Sequence, residues 1–458
     1  MLRLRIFVLI MGDFVLLSLL YFLAAGFYVM SGMYPDFEML VTEENLPGQI
    51  ITVVLMLMVG IYFTGLYENI RVYSRRVLFE DLVMVFGVSF LMQSLMSYAR
   101  SSLVMSRWIM MGGSIIAILG LVLWRWLYSM LLVKVVGRQK ILFLGDDPLA
   151  RQMAEEILKR PERGYEVVGC IAASPEGEFP GAPWVSIGDD LGRRIAELKP
   201  DRITVTGKVD AGGTLGRELL RCSMQGLTVE TSGDLFESIF HRVALSTVTP
   251  QQLVFSESFR PHAWVILLQE IYGRIFALVG LVLFSPAMLL TALAVKLDTP
   301  GPVILKQVRL GIRGVPFNLL KFRSMHVDAD LKFGTIRAKE NDPRITRVGK
   351  WIRLTRLDET PQFWNVLRGE MSLVGPRPEM PELEQKLLAD IPLYPQRHRV
   401  KPGITGWAQI NHEPEDTIGQ TVRKLEFDLY YIKRLSPAFD LMIMFHTAKA
   451  VILRLGAR

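Results

Sequence analysis

Residues 353–378 read RLTRLDETPQFWNVLRGEMSLVGPRP and combine a helix signature with a cluster of charges. Two adjacent carboxylates, Asp358 and Glu359, lie among arginines that include Arg353 and Arg377. Cations of this kind hold phosphate oxygens, whereas a carboxylate either attacks phosphorus or holds a metal ion. The stretch therefore predicts a reaction at phosphate.

The helix pattern of this stretch runs over TPQFWNVLRG, residues 360–369. Pro361 is tolerated in a first helical turn, and Gly369 is a natural stop. Asp358 and Glu359 then lie at the helix N-terminus, where the dipole lowers the pKa of a carboxylate and attracts phosphate. Helix capping alone would explain the acidic pair. The surrounding arginines favour instead an ionised aspartate nucleophile beside a glutamate that holds a metal ion.

Upstream, residues 300–325 predict an extended hairpin with turn signals at Gly311 and Gly314. Alternation along a strand would place Lys321 and Arg323 on one face. These two cations are further candidates for phosphate contacts.

The N-terminal part of the chain predicts membrane helices. Each of four apolar stretches approaches the roughly 20 residues that are needed to cross about 30 Å of hydrocarbon. They are Ile6–Met30, Gln49–Tyr67, Asp81–Tyr98 and Trp108–Val133. The first loop is acidic, whereas the second contains Arg71, Arg75 and Arg76. The positive-inside rule therefore places the N-terminus and the residues after the fourth helix in the cytoplasm. A soluble four-helix bundle is disfavoured because these helices are apolar on all faces.

The composition agrees with a membrane protein. Half of the 458 residues are hydrophobic, and the net charge is +7. Such a net charge favours binding to anionic lipid headgroups. No basic helix or aromatic motif predicts nucleic acid as a partner. Cys170 and Cys222 are the only cysteines, which favours a reducing cytoplasmic setting over a disulfide framework.

The middle of the chain predicts a small, doubly wound parallel sheet. Strand-like runs at 140–145, 165–173, 201–206 and 227–232 alternate with helical patterns. The first turn, GDDPLA at 145–150, has one glycine and two aspartates where a dinucleotide-binding turn needs several glycines. We therefore expect a Rossmann-like domain without an intact nucleotide motif, in a structural or regulatory role.

A fifth apolar run, IFALVGLVLFSPAMLLTALAV, covers residues 275–295. Full crossing would place everything after it outside the cell. Ser285 and Pro286 lie in its middle, where a proline kinks a helix and a serine hydroxyl can satisfy a freed carbonyl. A re-entrant helix that enters and leaves by the cytoplasmic face and a plain kinked transmembrane helix are both compatible with this run. The final stretch, 436–458, fits either a surface-lying amphipathic helix or a core helix.

The C-terminal part resembles a known family from about Gln269 onward. The matching motifs are SP at 285–286, PGPVILKQVRLG at 300–311, KFRSM at 321–325, DPRITRVG at 342–349, RLDETPQFWNVLRGEMSLVGPRPE at 356–379 and KPGITGWAQI at 401–410. They resemble, in order, the bacterial sugar transferase family of monotopic phosphoglycosyl transferases. The whole plan is similar to the large exopolysaccharide-initiating branch, which includes the exosortase-associated subgroup. Thr360 departs from the leucine usual in the family.

The resemblance implies a two-step reaction. Asp358 would attack the β-phosphate of a UDP-sugar, expel UMP and carry the sugar phosphate, while Glu359 would hold Mg²⁺. Polyprenyl phosphate, by resemblance undecaprenyl phosphate, would then accept the sugar phosphate. UDP-glucose, UDP-galactose and N-acetylated hexoses all remain open as donors.

The resemblance also assigns the remaining site residues. Arg353 and Arg377 fall on the phosphate-binding arginines, and Lys321 lies with Arg323 in the KFRSM motif. Ser285-Pro286 matches the break of the family's re-entrant helix, which favours the re-entrant alternative.

The resulting prediction has three domains in a multi-pass protein of the bacterial cytoplasmic membrane. They are a four-helix transmembrane domain (1–137), a Rossmann-like α/β domain (138–262) and a catalytic α/β domain (263–458) with a re-entrant helix. We expect the catalytic domain to face the cytoplasm and the chain to form a homodimer. Two other classes remain: a membrane-anchored nucleotide-sugar dehydratase, which the missing glycine turn and Tyr-x-x-x-Lys pair disfavour, and a non-catalytic scaffold.

Overall fold

The computed structural model describes residues 2–32, 36–64, 66–67, 75–136, 138–161, 164–172, 178–186, 191–207, 213–249, 251–252, 259–326, 342–411 and 417–452. The chain divides into two units, Met1–Leu235 and Phe236–Arg458. The second unit thus begins before the sequence-based boundary at residue 262, and the three-domain division stays a prediction.

The first unit starts with a group of apolar helices. They are α1 (Leu2–Met30), the short α2 (Phe37–Thr42), α3 (Leu46–Phe63), α4 (Arg75–Ala99) and α5 (Arg107–Val136). All but α2 contain a segment long and apolar enough to cross a membrane, and these segments match the four predicted stretches. Arg71, one of the bases behind the predicted orientation, lies outside the described residues.

Small residues bring α1 and α5 into close contact. A Cβ atom added at Gly113 would lie 2.5 Å from the Tyr21 ring, and one added at Gly120 would lie 2.6 Å from Leu20. Glycine at these positions therefore lets the two helices approach, as is common between membrane helices.

An ion pair is buried between the same two helices. Arg125 of α5 donates to the Asp13 carboxylate of α1 at 2.5 Å and to the carbonyl oxygen of Leu66 at 2.5 Å. The side chains of Arg125 and Asp13 are 2% and 0% exposed. Removing one partner would leave an uncompensated charge among apolar helices, so the pair holds α1 and α5 together, and the contact with Leu66 adds the segment after α3.

The rest of the first unit is a five-stranded sheet. Its strands are β1 (Gln139–Leu144), β2 (Tyr165–Ala172), β3 (Trp184–Ser186), β4 (Arg202–Val205) and β5 (Thr228–Thr231). They are all parallel, in the order β3-β2-β1-β4-β5. The connecting helices are α6 (Pro148–Lys159), α7 (Leu191–Leu198) and α8 (Thr214–Met224). The predicted Rossmann-like arrangement is confirmed.

The second unit is a mixed α/β body. After α9 (Ser232–Phe240) come α10 (Ala263–Asp298), β6 (Ile304–Leu310), β7 (Pro316–Phe322), α11 (Arg347–Leu354), α12 (Gln362–Leu367), β8 (Ser372–Val374), α13 (Pro381–Asp390), β9 (Gly403–Thr405), α14 (Trp407–Asn411), α15 (Ile418–Lys433) and α16 (Pro437–Ile452). β6 and β7 form the predicted antiparallel hairpin, and β8 pairs in parallel with β9. Buried side chains of α15, β8 and the segment before β9 form much of its core.

α10 contains the fifth apolar run and is helical through Ser285 and Pro286. The Ser285 hydroxyl donates to the carbonyl oxygen of Val282 at 2.7 Å. This is the carbonyl that would otherwise accept from the backbone N–H that proline lacks at position 286. The predicted role of the serine is therefore confirmed, whereas a re-entrant path through a membrane stays a prediction.

Both ends of α10 make hydrogen bonds to other parts of the second unit. Near its start, Gln269 donates to the Asp440 carboxylate at 2.7 Å and to the Tyr431 hydroxyl at 2.8 Å. At its end, Arg323 donates to the carbonyl oxygens of Thr299 and Pro300 at 2.7 and 2.8 Å. Between these points the Phe284 ring stacks on Phe363, with 6.3 Å between centroids.

The contact at Asp440 also decides between the two readings of the C-terminal stretch. Asp440 and Ile443 of α16 are 1% and 0% exposed. Hydroxyls of Tyr272 and Tyr431 both donate to the Asp440 carboxylate. α16 is therefore a core helix of the second unit over the residues described, rather than a helix that lies only on a surface.

We expect Asp440→Ala to destabilise the second unit by about 3 kcal/mol, because each buried donor that loses its acceptor costs about 1–3 kcal/mol. Asp440→Asn, which retains an acceptor oxygen, should lose less. Thermal unfolding of both variants in detergent measures the difference. Equal melting temperatures for Asp440→Ala and the unsubstituted protein would show that the cluster does not stabilise the fold.

Candidate active site

Asp358 and Glu359 lie in a single 3-10 turn, Leu357–Glu359, between α11 and α12. The preceding Arg356 has φ = 58° and ψ = 14°, a left-handed conformation that is uncommon for a residue with a side chain. The turn contacts α10, α11 and β7. Backbone strain of this kind persists where surrounding contacts fix it, and it is frequent at functional sites.

Glu359 is the centre of the charge cluster. Its Oε1 accepts from Lys321 Nζ at 3.2 Å and from Arg377 Nη2 at 3.0 Å, and Arg356 lies 4.0 Å from its Oε2. Burial alone would raise the pKa of this carboxyl. The three cations instead hold its pKa well below the ordinary value, so Glu359 is ionised at any physiological pH.

Asp358 has a different environment from its neighbour. Among the residues that the structure describes, no group donates a hydrogen bond to its carboxylate. Burial and the negative charge of Glu359 raise its pKa to about 6, against the opposing charges of Lys321, Arg353 and Arg356. The expectation that the helix dipole lowers the pKa of both carboxylates is therefore wrong for Asp358, because desolvation and the adjacent charge outweigh the dipole.

The two cations on Glu359 come from distant segments. Lys321 is on β7, and burial lowers its pKa against the attraction of Glu359. Arg377 follows β8, and Glu359 raises its pKa. The carboxylate therefore joins the hairpin, the 3-10 turn and the loop after β8 at one point.

A buried network behind Arg377 was not predicted from the sequence. Arg397 donates to the backbone carbonyl of Arg377 at 2.8 Å, and its guanidinium also lies 2.9 Å from Asp428. Glu379 lies between Arg397 and Lys424, and these cations hold the pKa of Glu379 near 2 although burial opposes them. The network fixes the backbone from which Arg377 extends. Of the residues in this network, only Glu379 could have been singled out from the sequence, because it ends the GPRPE motif.

A second support holds α12 against the hairpin. The Asn365 side chain is fully buried, accepts from the backbone N–H of Leu320 at 3.0 Å and donates to the carbonyl of Asn318 at 2.8 Å. Because Leu320 precedes Lys321, this contact sets the position of the lysine relative to the turn that carries the dyad.

The structure brings most of the predicted site residues together. Asp358, Glu359, Lys321 and Arg377 form one cluster, and the charge of Arg353 in the last turn of α11 acts on Asp358. Arg323 does not join them. β7 ends at Phe322, so the strand alternation that would put Lys321 and Arg323 on one face stops before Arg323. Its guanidinium instead donates to carbonyls at the end of α10, and its contacts give no support for phosphate binding.

Mg²⁺ fits the donor set of the dyad. In the described part of the chain, no group of three or more His, Cys, Asp or Glu side chains could enclose a metal. Mg²⁺, however, is commonly held by one or two carboxylates together with substrate phosphates and water. Glu359 Oε2 and the Asp358 carboxylate supply such oxygens, so these residues could hold an ion that is shared with a bound pyrophosphate.

The first turn of the Rossmann-like sheet has different chemistry. A Cβ atom at Gly145, where φ is 101°, would lie 2.2 Å from Thr206 Oγ1. Asp147 accepts from the backbone N–H of Ala150 at 2.6 Å, and Asp146 pairs with Arg151 at 2.7 Å. Two carboxylates therefore occupy the helix N-terminus where a pyrophosphate would bind. These residues do not fit a nucleotide or coenzyme A phosphate at this turn.

Comparisons with known proteins agree with this architecture. A family model described as "Bacterial sugar transferase" matches residues 264–454, and one described as "CoA-binding domain" matches residues 59–223. The UDP-N-acetylgalactosamine-undecaprenyl-phosphate N-acetylgalactosaminephosphotransferase of Aeromonas hydrophila is 38% identical over 264 residues, which cover 58% of this chain and 60% of that protein.

Two further relatives match shorter stretches of the chain. The UDP-glucose:undecaprenyl-phosphate glucose-1-phosphate transferase of Escherichia coli is 48% identical over 183 residues, 40% of this chain and 39% of the relative. The exopolysaccharide production protein PSS of Rhizobium leguminosarum bv. phaseoli is 38% identical over 194 residues, 41% of this chain and 97% of the relative. The chain spans less than two thirds of the Aeromonas and Escherichia proteins. With the Rhizobium protein matched over almost its whole length and the dyad, Lys321 and Arg377 assembled in one cluster, the chain belongs to the bacterial sugar transferase family.

Proposed function

We propose that this chain transfers a sugar 1-phosphate from a UDP-sugar to polyprenyl phosphate, releases UMP, and thereby starts the assembly of an exopolysaccharide or a related glycan. The observation that carries the proposal is the division of labour within the dyad. Glu359 is held by Lys321 and Arg377, whereas the carboxylate of Asp358 has no hydrogen-bond donor among the described residues.

In the first step, an Asp358 oxygen forms a bond to the β-phosphorus of the UDP-sugar. The bond from that phosphorus to the oxygen bridging to the α-phosphate breaks, and UMP leaves with the electron pair. The enzyme then carries the sugar phosphate as an acyl phosphate. Lys321, Arg353 and Arg377 supply positive charge for the oxygens on which negative charge develops.

In the second step, a phosphate oxygen of the polyprenyl phosphate attacks the same phosphorus. The bond to Asp358 breaks, the carboxylate is regenerated, and a sugar diphospholipid leaves. Neither step requires a net proton transfer. A Mg²⁺ ion held by Glu359 would neutralise pyrophosphate charge when bound.

The attachment of α10 supports a position at the cytoplasmic membrane face. Gln269 near its start and Asp298 at its end both hydrogen-bond to the second unit. Both contacts are to the folded body that carries the dyad, so we expect that body and both ends of α10 to lie on one face of the membrane. The exposed apolar side chains around Pro286, among them Val282, Leu283, Leu289 and Leu290, fit entry into lipid and return to the same face.

We expect Asp358→Asn to lower the rate of UMP release by about 10³-fold or more, because the amide cannot replace an anionic nucleophile. Asp390→Asn, at an exposed aspartate of α13, should retain full activity and serves as the matched control. Incubation with a UDP-sugar but no lipid should add one sugar phosphate to the unsubstituted protein, which peptide mass mapping would place on Asp358. Accumulation of lipid product by Asp358→Asn would contradict the mechanism.

The pKa of about 6 for Asp358 predicts the pH dependence of the first step. The carboxylate is the reactive form, so activity is present above this pKa and is lost as the pH falls through it. With this pKa, about nine tenths of the sites are ionised at pH 7 and about one tenth at pH 5. We expect single-turnover UMP release at UDP-sugar concentrations well below saturation, where the rate reports the free enzyme, to fall about tenfold between these values and to recover on return to pH 7. A flat profile would exclude Asp358 ionisation as the controlling event.

Cysteine labelling tests the topology. Cys170 and Cys222 are buried, so a new cysteine at exposed Glu38 or Asp390 should react selectively. Glu38→Cys should react with a membrane-impermeant maleimide added from the periplasmic side. Asp390→Cys should react only after the membrane is opened. Labelling of Asp390→Cys from the periplasm would show that α10 crosses the membrane completely.

A further inference from the structure

A second pocket lies at the opposite end of α12 from the dyad. It is a small cleft on the second unit that is partly open to solvent. α10, the residues after α12, the start of β8 and the segment before β9 form its walls, and neither the dyad nor Lys321 or Arg377 lines it. Its apolar lining comes from Ile266, Val366, Met371 and Val400. The pocket is therefore separate from the site of the proposed phosphoryl transfer.

Three cations line this pocket. Lys401 lies 2.6 Å from Glu270 Oε1, and Arg274 lies 3.2 Å from Glu270 Oε2, so one carboxylate holds both. Arg399 is the third, and it donates to the carbonyl oxygen of Phe259 at 3.0 Å. Glu270 is the only acidic residue in the lining. Three cations against one carboxylate leave the pocket positively charged.

Gly369 keeps the space between the cations open. A Cβ atom there would lie 3.3 Å from Arg274 Nη2 and 3.6 Å from Lys401 Nζ. Any side chain would therefore grow into the space where the two cations converge. With φ at +78°, the position also favours glycine for its backbone conformation.

Ser372 is an independent sign that a ligand binds here. It lines the pocket, is 6% exposed, and its hydroxyl has no hydrogen-bond partner among the described residues. A buried hydroxyl without a partner is unfavourable, and we expect the Ser372 side chain to turn toward a ligand oxygen in the pocket.

The pocket opens where α10 would meet the lipid headgroups. Arg274 directly precedes the apolar run 275–295, and the side chains of Ile271 and Ile275 are 48% and 56% exposed. A phosphate with attached apolar chains matches both features, the cations and the exposed isoleucines. We propose that this pocket binds the phosphate group of an anionic phospholipid. The proposal rests on the membrane position of α10 given above and not on the chemistry of Asp358.

Substitutions of opposite electrostatic sign test the proposal. The full-length protein in nonionic detergent is titrated with short-chain phosphatidylglycerol, and bound lipid is counted by native mass spectrometry. Arg274→Gln should weaken binding about fivefold, the value for loss of one basic contact. Glu270→Gln should strengthen it, because the cations then lose their competing carboxylate. Ser372→Ala should weaken it. Arg368→Gln, at an exposed arginine that follows α12 but does not line the pocket, is the matched control.

Three comparisons identify the ligand. Phosphatidylglycerol should bind more tightly than zwitterionic phosphatidylcholine and more tightly than inorganic phosphate. Equal binding of inorganic phosphate would overturn the lipid assignment, and tighter binding of polyprenyl phosphate would assign the pocket to the acceptor. Identical phosphatidylglycerol affinity in all four variants would overturn the site itself. Stoichiometric UMP release by the same preparations reports on Asp358 separately, so the two proposals can fail independently.

Discussion

The candidate active site depends on the contact of one carboxylate oxygen, Glu359 Oε1, with Lys321 and Arg377. Lys321 and Arg377 belong to segments far apart in sequence, and they would repel each other without the anion between them. Attraction at this point therefore joins the hairpin, the strained 3-10 turn and the loop after β8. The same attraction keeps Glu359 ionised. The Glu359 side chain is therefore engaged in structural ion pairs, whereas the Asp358 side chain is not.

The pKa values of Asp358 and Glu359 differ because their surroundings differ, and not because one is an aspartate and the other a glutamate. Glu359 receives two charged donors, whereas Asp358 is desolvated and lies beside a permanent negative charge. Environments that separate the pKa values of two neighbouring acids also separate their chemical roles. A carboxylate that titrates near pH 6 is a better nucleophile than one held by cations, since it has retained its basicity. The network of Arg397, Asp428 and Glu379 holds the backbone from which Arg377 extends.

Composition and periodicity predicted the elements but not the long-range contacts. Apolar helices of membrane length, alternating strands and helices, and the hairpin signals of 300–325 each leave a local pattern, and each was found. The Asp13–Arg125 pair joins residues on two helices far apart in the chain, and the Asp440 cluster joins α10, α15 and α16, so neither has a local signature. The phosphate contact of Arg323 stays a prediction without support from its neighbours, since β7 ends one residue before it and its guanidinium donates to a carbonyl at the end of α10. The pKa of Asp358 was misjudged because burial depends on the whole fold, whereas a helix dipole can be read from the sequence.

Phe363 connects the apolar helix to the reactive turn. It lies four residues after Glu359, stacks on Phe284 and packs against Gly280, where a Cβ atom would lie 3.1 Å from its ring. A larger residue at position 280 would displace this ring and, with it, the start of α12. Since α12 begins three residues after Glu359, the packing of α10 against Phe363 bears on the position of the turn that carries Asp358. In the proposed reaction between a UDP-sugar and polyprenyl phosphate, this contact would let one element set the position of Asp358 relative to both substrates.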